Sequence, residues 1–205
     1  MVYDAKMLWN PDYLIEAALR AGVDFEVESD WLKVDPYGKK FQPVGVVWHH
    51  TGCPTFARGN MPSLNYCKNP GQYAGQARAC HLLVGRNGKI QIIAGRGAYH
   101  AGAGGPLKVN GKTLPKDEGN KFLIGIEFEA HSSTKINKRN LVTPKTGLNP
   151  AQITAVSKWS AQLYDLLDWP TSSTIRHSDW APFRKTDVGV PLQFIRKEIN
   201  SYRQA

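Results

Sequence analysis

Short apolar segments rich in β-branched residues alternate along this chain with helical patterns that begin at proline, and this alternation restricts the fold to the mixed α/β class. The dipeptide most favoured in tight hairpin turns, Asn87-Gly88, lies between two of these segments and predicts a β-hairpin. Long loops rich in glycine and proline are expected to shape a binding site, and they cover 52–76 and 97–121. The predicted strands cover 44–48, 81–84, 89–94, 123–129 and 173–176.

Two Asn-Pro pairs mark the beginnings of amphipathic helices. Asn10-Pro11 precedes a short series of apolar residues at helical spacing. Asn149-Pro150 precedes a longer series at steps of three and four, which ends at Trp169-Pro170. A third pattern, over 191–202, predicts a closing helix.

The length of 205 residues fits one domain of ordinary size. We therefore predict a single α/β domain whose central mixed β-sheet is flanked by helices. Residues 1–43 are expected to form an N-terminal extension with a short helix, and residues 44–205 the main domain. No run approaches the roughly 20 apolar residues of a membrane span, and the N-terminus lacks the basic and then apolar plan of a signal peptide. We expect a chain made in the cytoplasm, with no membrane span.

The charge of the chain is strongly uneven. Residues 36–116 hold eleven basic residues and no Asp or Glu, whereas residues 1–35 hold eight acids and three bases. Such a field attracts polyanions, of which nucleic acid, a membrane surface and an anionic bacterial wall are candidates. A solvated basic face that only aids solubility is the simpler alternative. A specific nucleic-acid partner is not expected, because the basic stretch lacks a recognition helix or an aromatic-rich RNA motif.

Imidazole and carboxylate groups follow two predicted strands. His49 lies where the first strand ends, and His177 and Asp187 lie in a turn-rich stretch after the last strand. Two histidines and one carboxylate are suitable ligands for a catalytic zinc ion with an open fourth position. A zinc ion there would activate water and polarise a carbonyl, which makes amide hydrolysis possible at neutral pH. Spacing alone does not establish that His49 meets residues 128 or more positions later.

A carboxylate, Glu127, interrupts an otherwise apolar strand. It either faces a cleft, where it can exchange protons with water and a leaving nitrogen, or faces solvent together with Glu129 on an edge strand. Lys185 is a candidate for stabilising a developing oxyanion, although a lysine in this position is just as often a surface charge.

Together these motifs resemble the zinc-dependent N-acetylmuramoyl-L-alanine amidases, the type 2 amidases related to T7 lysozyme and to peptidoglycan recognition proteins. The resemblance spans roughly residues 44–190 in the order of the family. It is carried by Val46-Val-Trp-His-His-Thr51, Ala79-Cys-His-Leu-Leu-Val84 with Gly85-Arg-Asn-Gly-Lys-Ile90, Ala98-Tyr-His-Ala-Gly102, Ile124-Gly-Ile-Glu-Phe-Glu129 and the stretch from His177 to Asp187.

The resemblance implies roles for nine residues and a type 2 amidase fold with the zinc in a cleft. One catalytic Zn²⁺ would be bound by His49, His177 and Asp187. Glu127 would be catalytic, with Lys185 as its electrostatic helper. The residues expected to contact substrate are His81, Tyr99, His100 and Trp180.

One departure from the T7-type members is informative. Those members place a tyrosine before the hairpin histidine and lack a glutamate on the catalytic strand, whereas this chain has Cys80 and Glu127. The chain therefore resembles the Glu/Lys branch, typified by a bacterial cytosolic amidase that recycles wall fragments. The retained third ligand, Asp187, favours an enzyme over a recognition protein.

The resemblance implies cleavage of the amide between N-acetylmuramic acid and the L-alanine of the stem peptide. The setting expected from the basic charge and the N-terminal extension is that of a phage endolysin, a monomer that acts on bacterial peptidoglycan and contacts anionic wall polymers. A cytosolic muropeptide-recycling amidase and a non-catalytic peptidoglycan-binding module remain the alternatives.

Overall fold

The computed structural model describes residues 9–53, 57–71, 77–130 and 147–203. Six strands form one mixed sheet in the order β1-β4-β3-β7-β2-β8, in which β3 and β4 are antiparallel and every other neighbouring pair is parallel. A separate two-stranded hairpin consists of β5 and β6. The strands are β1 (Phe25–Val27), β2 (Gly45–His50), β3 (Leu82–Val84), β4 (Ile90–Ile92), β5 (Leu107–Val109), β6 (Lys112–Leu114), β7 (Leu123–Phe128) and β8 (Thr174–Arg176).

Three long helices cover one face of this sheet, and shorter helices lie between the strands and near the loops. The mixed α/β fold with a central sheet and flanking helices is thereby confirmed, as are the Asn87-Gly88 hairpin and the three predicted helices. The helices are α1 (Asp12–Ala21), α2 (Leu64–Lys68), α3 (Gly119–Phe122), α4 (Pro150–Leu167), α5 (His177–Trp180) and α6 (Leu192–Arg203).

The central helix of this layer, α4, begins at a capping box. The side chain of Asn149 accepts a hydrogen bond from the Gln152 amide (3.0 Å), and the Gln152 side chain accepts one from the Asn149 amide (3.1 Å). Its apolar stripe, with Trp159 fully buried, packs between the sheet and the helices α1 and α6. This layer forms the larger hydrophobic core, because it meets the sheet face that carries Trp48 and Phe128.

Loops and short elements cover the opposite face. Val47, Leu123 and Ile175 form a second, smaller core there with Trp180 of α5 and residues of the 97–121 segment. No long helix of the described residues packs on this side, so the ends of its strands are accessible to the loops that were predicted to shape a binding site.

The acidic N-terminal segment lies along the basic segment. Strand β1 pairs with β4, and the indole nitrogen of Trp159 donates to the carbonyl of Leu14 in α1 (3.0 Å). Four acids of this segment form ion pairs with four of the eleven basic residues. The pairs are Glu26 with Lys89, Glu28 with Lys68, Asp30 with Arg78 (each 2.6 Å) and Asp35 with Arg96 (2.9 Å). The basic charge is therefore partly neutralised within the chain, and the division at residue 43 stays a prediction.

Within the described residues, no helix has both the length and the apolar composition needed to cross a membrane.

Substituting Asn149 by alanine tests the structural role of the capping box. Asn149→Ala removes the cap and a second hydrogen bond, from the Asn149 side chain to the Arg86 carbonyl (2.7 Å). We expect the free energy of unfolding in urea to fall by about 1 to 2 kcal/mol. Asn200→Ala is the control, since Asn200 is an exposed helix residue. Its effect should stay within about 0.5 kcal/mol, and equal effects for both variants would contradict the role of the cap.

Candidate metal centre and cleft

The parallel strands place the candidate site at their carboxyl ends. In the register of β2 and β7, His49 lies beside Glu127, and both side chains share a sheet face with Val47. Strand β8 pairs with β2 as far as Arg176, so the next residue, His177, reaches the same edge. Ligand sites in sheets of this kind form outside the carboxyl ends of parallel strands.

Three of the predicted residues converge there. The Nδ1 atoms of His49 and His177 lie 2.8 Å apart, and the Oδ2 atom of Asp187 lies 3.0 Å from Nδ1 of His177 and 3.6 Å from Nδ1 of His49. All three side chains are buried. The convergence that spacing alone left open is thus present in the fold.

A chain of hydrogen bonds assigns the proton positions of these rings. The Nε2 atom of His100 lies 3.0 Å from the carbonyl oxygen of Leu123, which can only accept, so this nitrogen carries the proton. The other nitrogen of His100, Nδ1, is then the acceptor for Nε2–H of His49 at 3.2 Å. Nδ1 of His49 is consequently left with a free lone pair that points towards Asp187 and His177.

The second ligand is oriented in the same way. Nε2 of His177 donates to the carbonyl oxygen of Ala101 (3.0 Å), which leaves its Nδ1 atom unprotonated. Two lone pairs and a carboxylate oxygen therefore face one point, an arrangement that repels itself unless a cation lies between them. The donor set fits zinc, and the hydrogen bonds to carbonyls behind the rings are the usual support for metal-binding histidines.

The ionisation state of His49 agrees with this donor set. Burial lowers the pKa of His49 to about 4, so its ring is neutral at neutral pH. Neutral imidazole is the form in which histidine binds a metal ion.

Gly125 of β7 makes room for the supporting histidine. A Cβ atom at this position would lie 2.3 Å from Cγ of His100, which is closer than any real contact. Only glycine lets the His100 ring lie flat enough against the strand to reach both His49 and the Leu123 carbonyl.

Glu127 lies in the cleft with an unused acceptor. Its Oε2 atom is buried and has no hydrogen-bond partner, and burial, followed by the neighbouring Cys67 and Asp187, raises its pKa well above the usual value. The solvent-facing alternative is wrong for two reasons. Strand β7 is internal to the sheet, and Glu129 is buried and accepts hydrogen bonds from the amide and hydroxyl of Ser63 (3.0 and 2.8 Å).

A cleft of about 410 Å³ opens at the converging groups. Tyr99 and His100 line it as predicted positions, and so do Glu127 and Lys185. Among the other lining residues, Tyr66, His50 and Arg184 carry functional groups that were not predicted to act in the site. Tyr66 lies in a predicted binding loop, and His50 and Arg184 lie beside predicted site residues.

Two predicted substrate contacts need correction. His81 is fully buried, with its ring stacked on Phe41 and its Nδ1 atom accepting a hydrogen bond from the Gly125 amide (3.0 Å). Trp180 is also fully buried and donates to the carbonyl of Gly102 (3.1 Å). A side chain without accessible surface cannot contact substrate, so both residues support the cleft from behind.

The charge of the cleft does not come from the basic segment. Residues 36–116 contribute Tyr66 and Tyr99, among others, to the lining, but none of the eleven lysines and arginines of that segment lines the cleft. Its two lining cations are Arg184 and Lys185.

Comparisons with known proteins agree with this geometry. A family model described as N-acetylmuramoyl-L-alanine amidase matches residues 39–190. No curated protein sequence matches the chain significantly.

Several solved structures share the fold. A Se-Met AmpD derivative is 20% identical with a TM-score of 0.55, covering 86% of this chain and 93% of its own. The endolysin amidase LysCS from Clostridium intestinale is 18% identical with a TM-score of 0.51, covering 87% and 95%. The amidase AmiD from E. coli, solved with the substrate anhydro-N-acetylmuramic acid-L-Ala-D-γ-Glu-L-Lys, is 24% identical with a TM-score of 0.53, covering 80% and 58%.

Removing the supporting ring should weaken metal binding. His100→Ala deletes the acceptor that fixes the proton of His49, and we expect zinc affinity, measured by competition with a chromogenic chelator, to fall about 10- to 100-fold. The control is His50→Ala, because the Nδ1 atom of His50 has no hydrogen-bond partner. Unchanged zinc affinity in His100→Ala would contradict the assigned proton positions.

Proposed function

The chain belongs to the N-acetylmuramoyl-L-alanine amidase family, and from that premise we propose that it hydrolyses the amide between the lactyl group of N-acetylmuramic acid and the first L-alanine of the stem peptide. The observation that carries the proposal is the convergence of His49, His177 and Asp187 beside Glu127 in one cleft. These residues fit a single zinc ion, which we propose as the cofactor. When bound, zinc supplies a Lewis acid that polarises the scissile carbonyl and activates water for attack at neutral pH.

Glu127 is the proposed general base and acid. Its free Oε2 atom can accept a proton from the attacking water and deliver it to the departing amide nitrogen. The raised pKa makes the carboxylate a stronger base than an exposed glutamate, and it also lets the protonated form persist long enough to act as an acid.

Lys185 is the proposed stabiliser of negative charge on the carbonyl oxygen. It lines the cleft with Glu127 and Asp187, and its charge lowers the pKa of Glu127, which indicates that the two groups are close. An ammonium group that lines the cleft favours the charged tetrahedral species over the neutral amide. Tyr99 and His100 form the wall against which the substrate would lie.

We propose that the protein is a phage endolysin that acts on the cell wall of its host. It would act as a monomer, with peptidoglycan as its partner. The four internal ion pairs reduce the free basic charge but leave the chain at a formal +9, which favours adsorption to anionic wall polymers. The three candidate ligands and Glu127 together favour turnover over simple recognition of the wall.

Product analysis tests both the reaction and the setting. Intact sacculi incubated with the protein should release new amino-terminal L-alanine, a chelator should abolish the release, and added zinc should restore it. The rate on sacculi should exceed the rate on soluble muropeptides at equal stem-peptide concentration. New reducing sugar ends, or full activity without metal, would overturn the reaction, whereas a preference for soluble fragments would place the enzyme in wall recycling.

Glu127→Gln separates proton transfer from metal binding. The amide keeps the shape of the side chain but cannot accept the proton, so we expect kcat to fall about 10²- to 10⁴-fold while zinc content stays at one per chain. Glu118→Gln is the matched control, because Glu118 pairs with Lys121 and does not line the cleft. An unchanged kcat in Glu127→Gln would remove Glu127 from the reaction.

A further inference from the structure

Three aromatic side chains of the described residues are exposed, and two of them line the cleft. They are Tyr66, Tyr99 and Phe183, with 58%, 48% and 104% of their surface exposed, and we refer to them as the aromatic rim. Tyr66 and Tyr99 line the cleft, and Phe183 directly precedes Arg184 and Lys185, which line it from another side. The rim therefore comes from three separate segments, of which two line the cleft with their aromatic rings and the third with the residues that follow Phe183.

Phe183 is held in its exposed position by the turn that carries it. The amides of Arg184 and Lys185 both donate to the carbonyl of Ala181, which is buried (3.0 and 2.9 Å). The guanidinium of Arg184 is fixed in turn by the carbonyls of Ala101 and Ala103 (3.0 and 2.7 Å). Because these hydrogen bonds anchor the turn, the fold itself holds the Phe183 ring in solvent.

The cleft is too small to hold a glycan strand. A volume of about 410 Å³ is at the lower end of what binds a compact organic ligand. It accommodates the muramyl residue and the beginning of its peptide, so sugars further along a polymeric strand must lie on the surrounding surface. The Phe183 ring and the exposed surface of Tyr66 and Tyr99 are available to those sugars.

We propose that the aromatic rim stacks against sugar rings of a peptidoglycan glycan strand beyond the cleaved residue, and thereby favours polymeric wall over short fragments. Pyranose rings present flat C–H faces to aromatic rings, and stacking removes the apolar surface of both from water. The tyrosine hydroxyls can also bond to sugar hydroxyls. This inference rests on the proposed function, because it assumes that the cleft holds the muramyl residue.

The test measures binding and turnover separately. Glycan strands freed of their stem peptides serve as the binding probe, with affinity followed by intrinsic fluorescence. Intact sacculi and a soluble muramyl peptide serve as the two substrates. The variants are Phe183→Ala and Tyr66→Ala, and the control is Leu19→Ala, which removes a side chain of similar exposure (60%) from helix α1 on the opposite face of the sheet.

We expect Phe183→Ala to lower the affinity for peptide-free strands about threefold to tenfold. The ratio of its rate on sacculi to its rate on the muramyl peptide should fall by a similar factor. Tyr66→Ala should act in the same direction, and Leu19→Ala should change neither quantity. The thermal unfolding of Phe183→Ala should match that of the unsubstituted protein, because the ring is fully exposed on the described part of the chain.

Unchanged strand affinity in Phe183→Ala, or an equal loss in Leu19→Ala, would overturn the inference. A loss of equal size on both substrates would do so as well, since it would place Phe183 in the reaction itself. Failure of the proposed function is distinguishable, because it would show as absent amino-terminal L-alanine in the unsubstituted protein whatever the strand affinity.

Discussion

Two unprotonated imidazole nitrogens facing each other beside a carboxylate are the constraint on which the rest of this structure depends. No cationic side chain of the described residues lies between the three groups, so the arrangement suits a bound cation. The carbonyl of Ala101 fixes the proton of His177 directly, and the carbonyl of Leu123 fixes the proton of His49 through the ring of His100. Backbone geometry therefore helps to define the candidate metal centre.

The two faces of the sheet differ in what covers them. One face of the sheet is filled by Trp48, Phe128 and the helical layer, which supplies most of the hydrophobic burial. The other face can then hold buried polar groups, with loops in place of helices, because its stability does not depend on a continuous apolar contact. Polar groups buried on this face need hydrogen-bond partners. The buried carboxylate of Glu129 accepts hydrogen bonds from both the amide and the hydroxyl of Ser63, and these bonds fix the loop beside the cleft.

Much of the architecture was predictable because local signals determine it. The Asn87-Gly88 turn and the Asn149 cap act over a few residues, and the structure has them where the sequence placed them. The three-residue bounds of β3 and β4 and the pairing of β1 with β4 were not predicted, since pairing partners depend on distant contacts. The burial of His81 and Trp180 was missed for a related reason: motif membership does not distinguish a side chain that lines a cleft from one that supports its wall.

The acidic segment, which contains β1 and the acids of the four ion pairs, matters for protein engineering. Strand β1 covers the edge of the sheet at β4, and its segment holds the partners of Lys68, Arg78, Lys89 and Arg96. A fusion that began at residue 44 would expose an unpaired strand edge and release four cations at once, which invites intermolecular pairing and non-specific adhesion. A transferable unit of this domain therefore includes the acidic segment, even though none of its described residues, 9–35, lines the cleft.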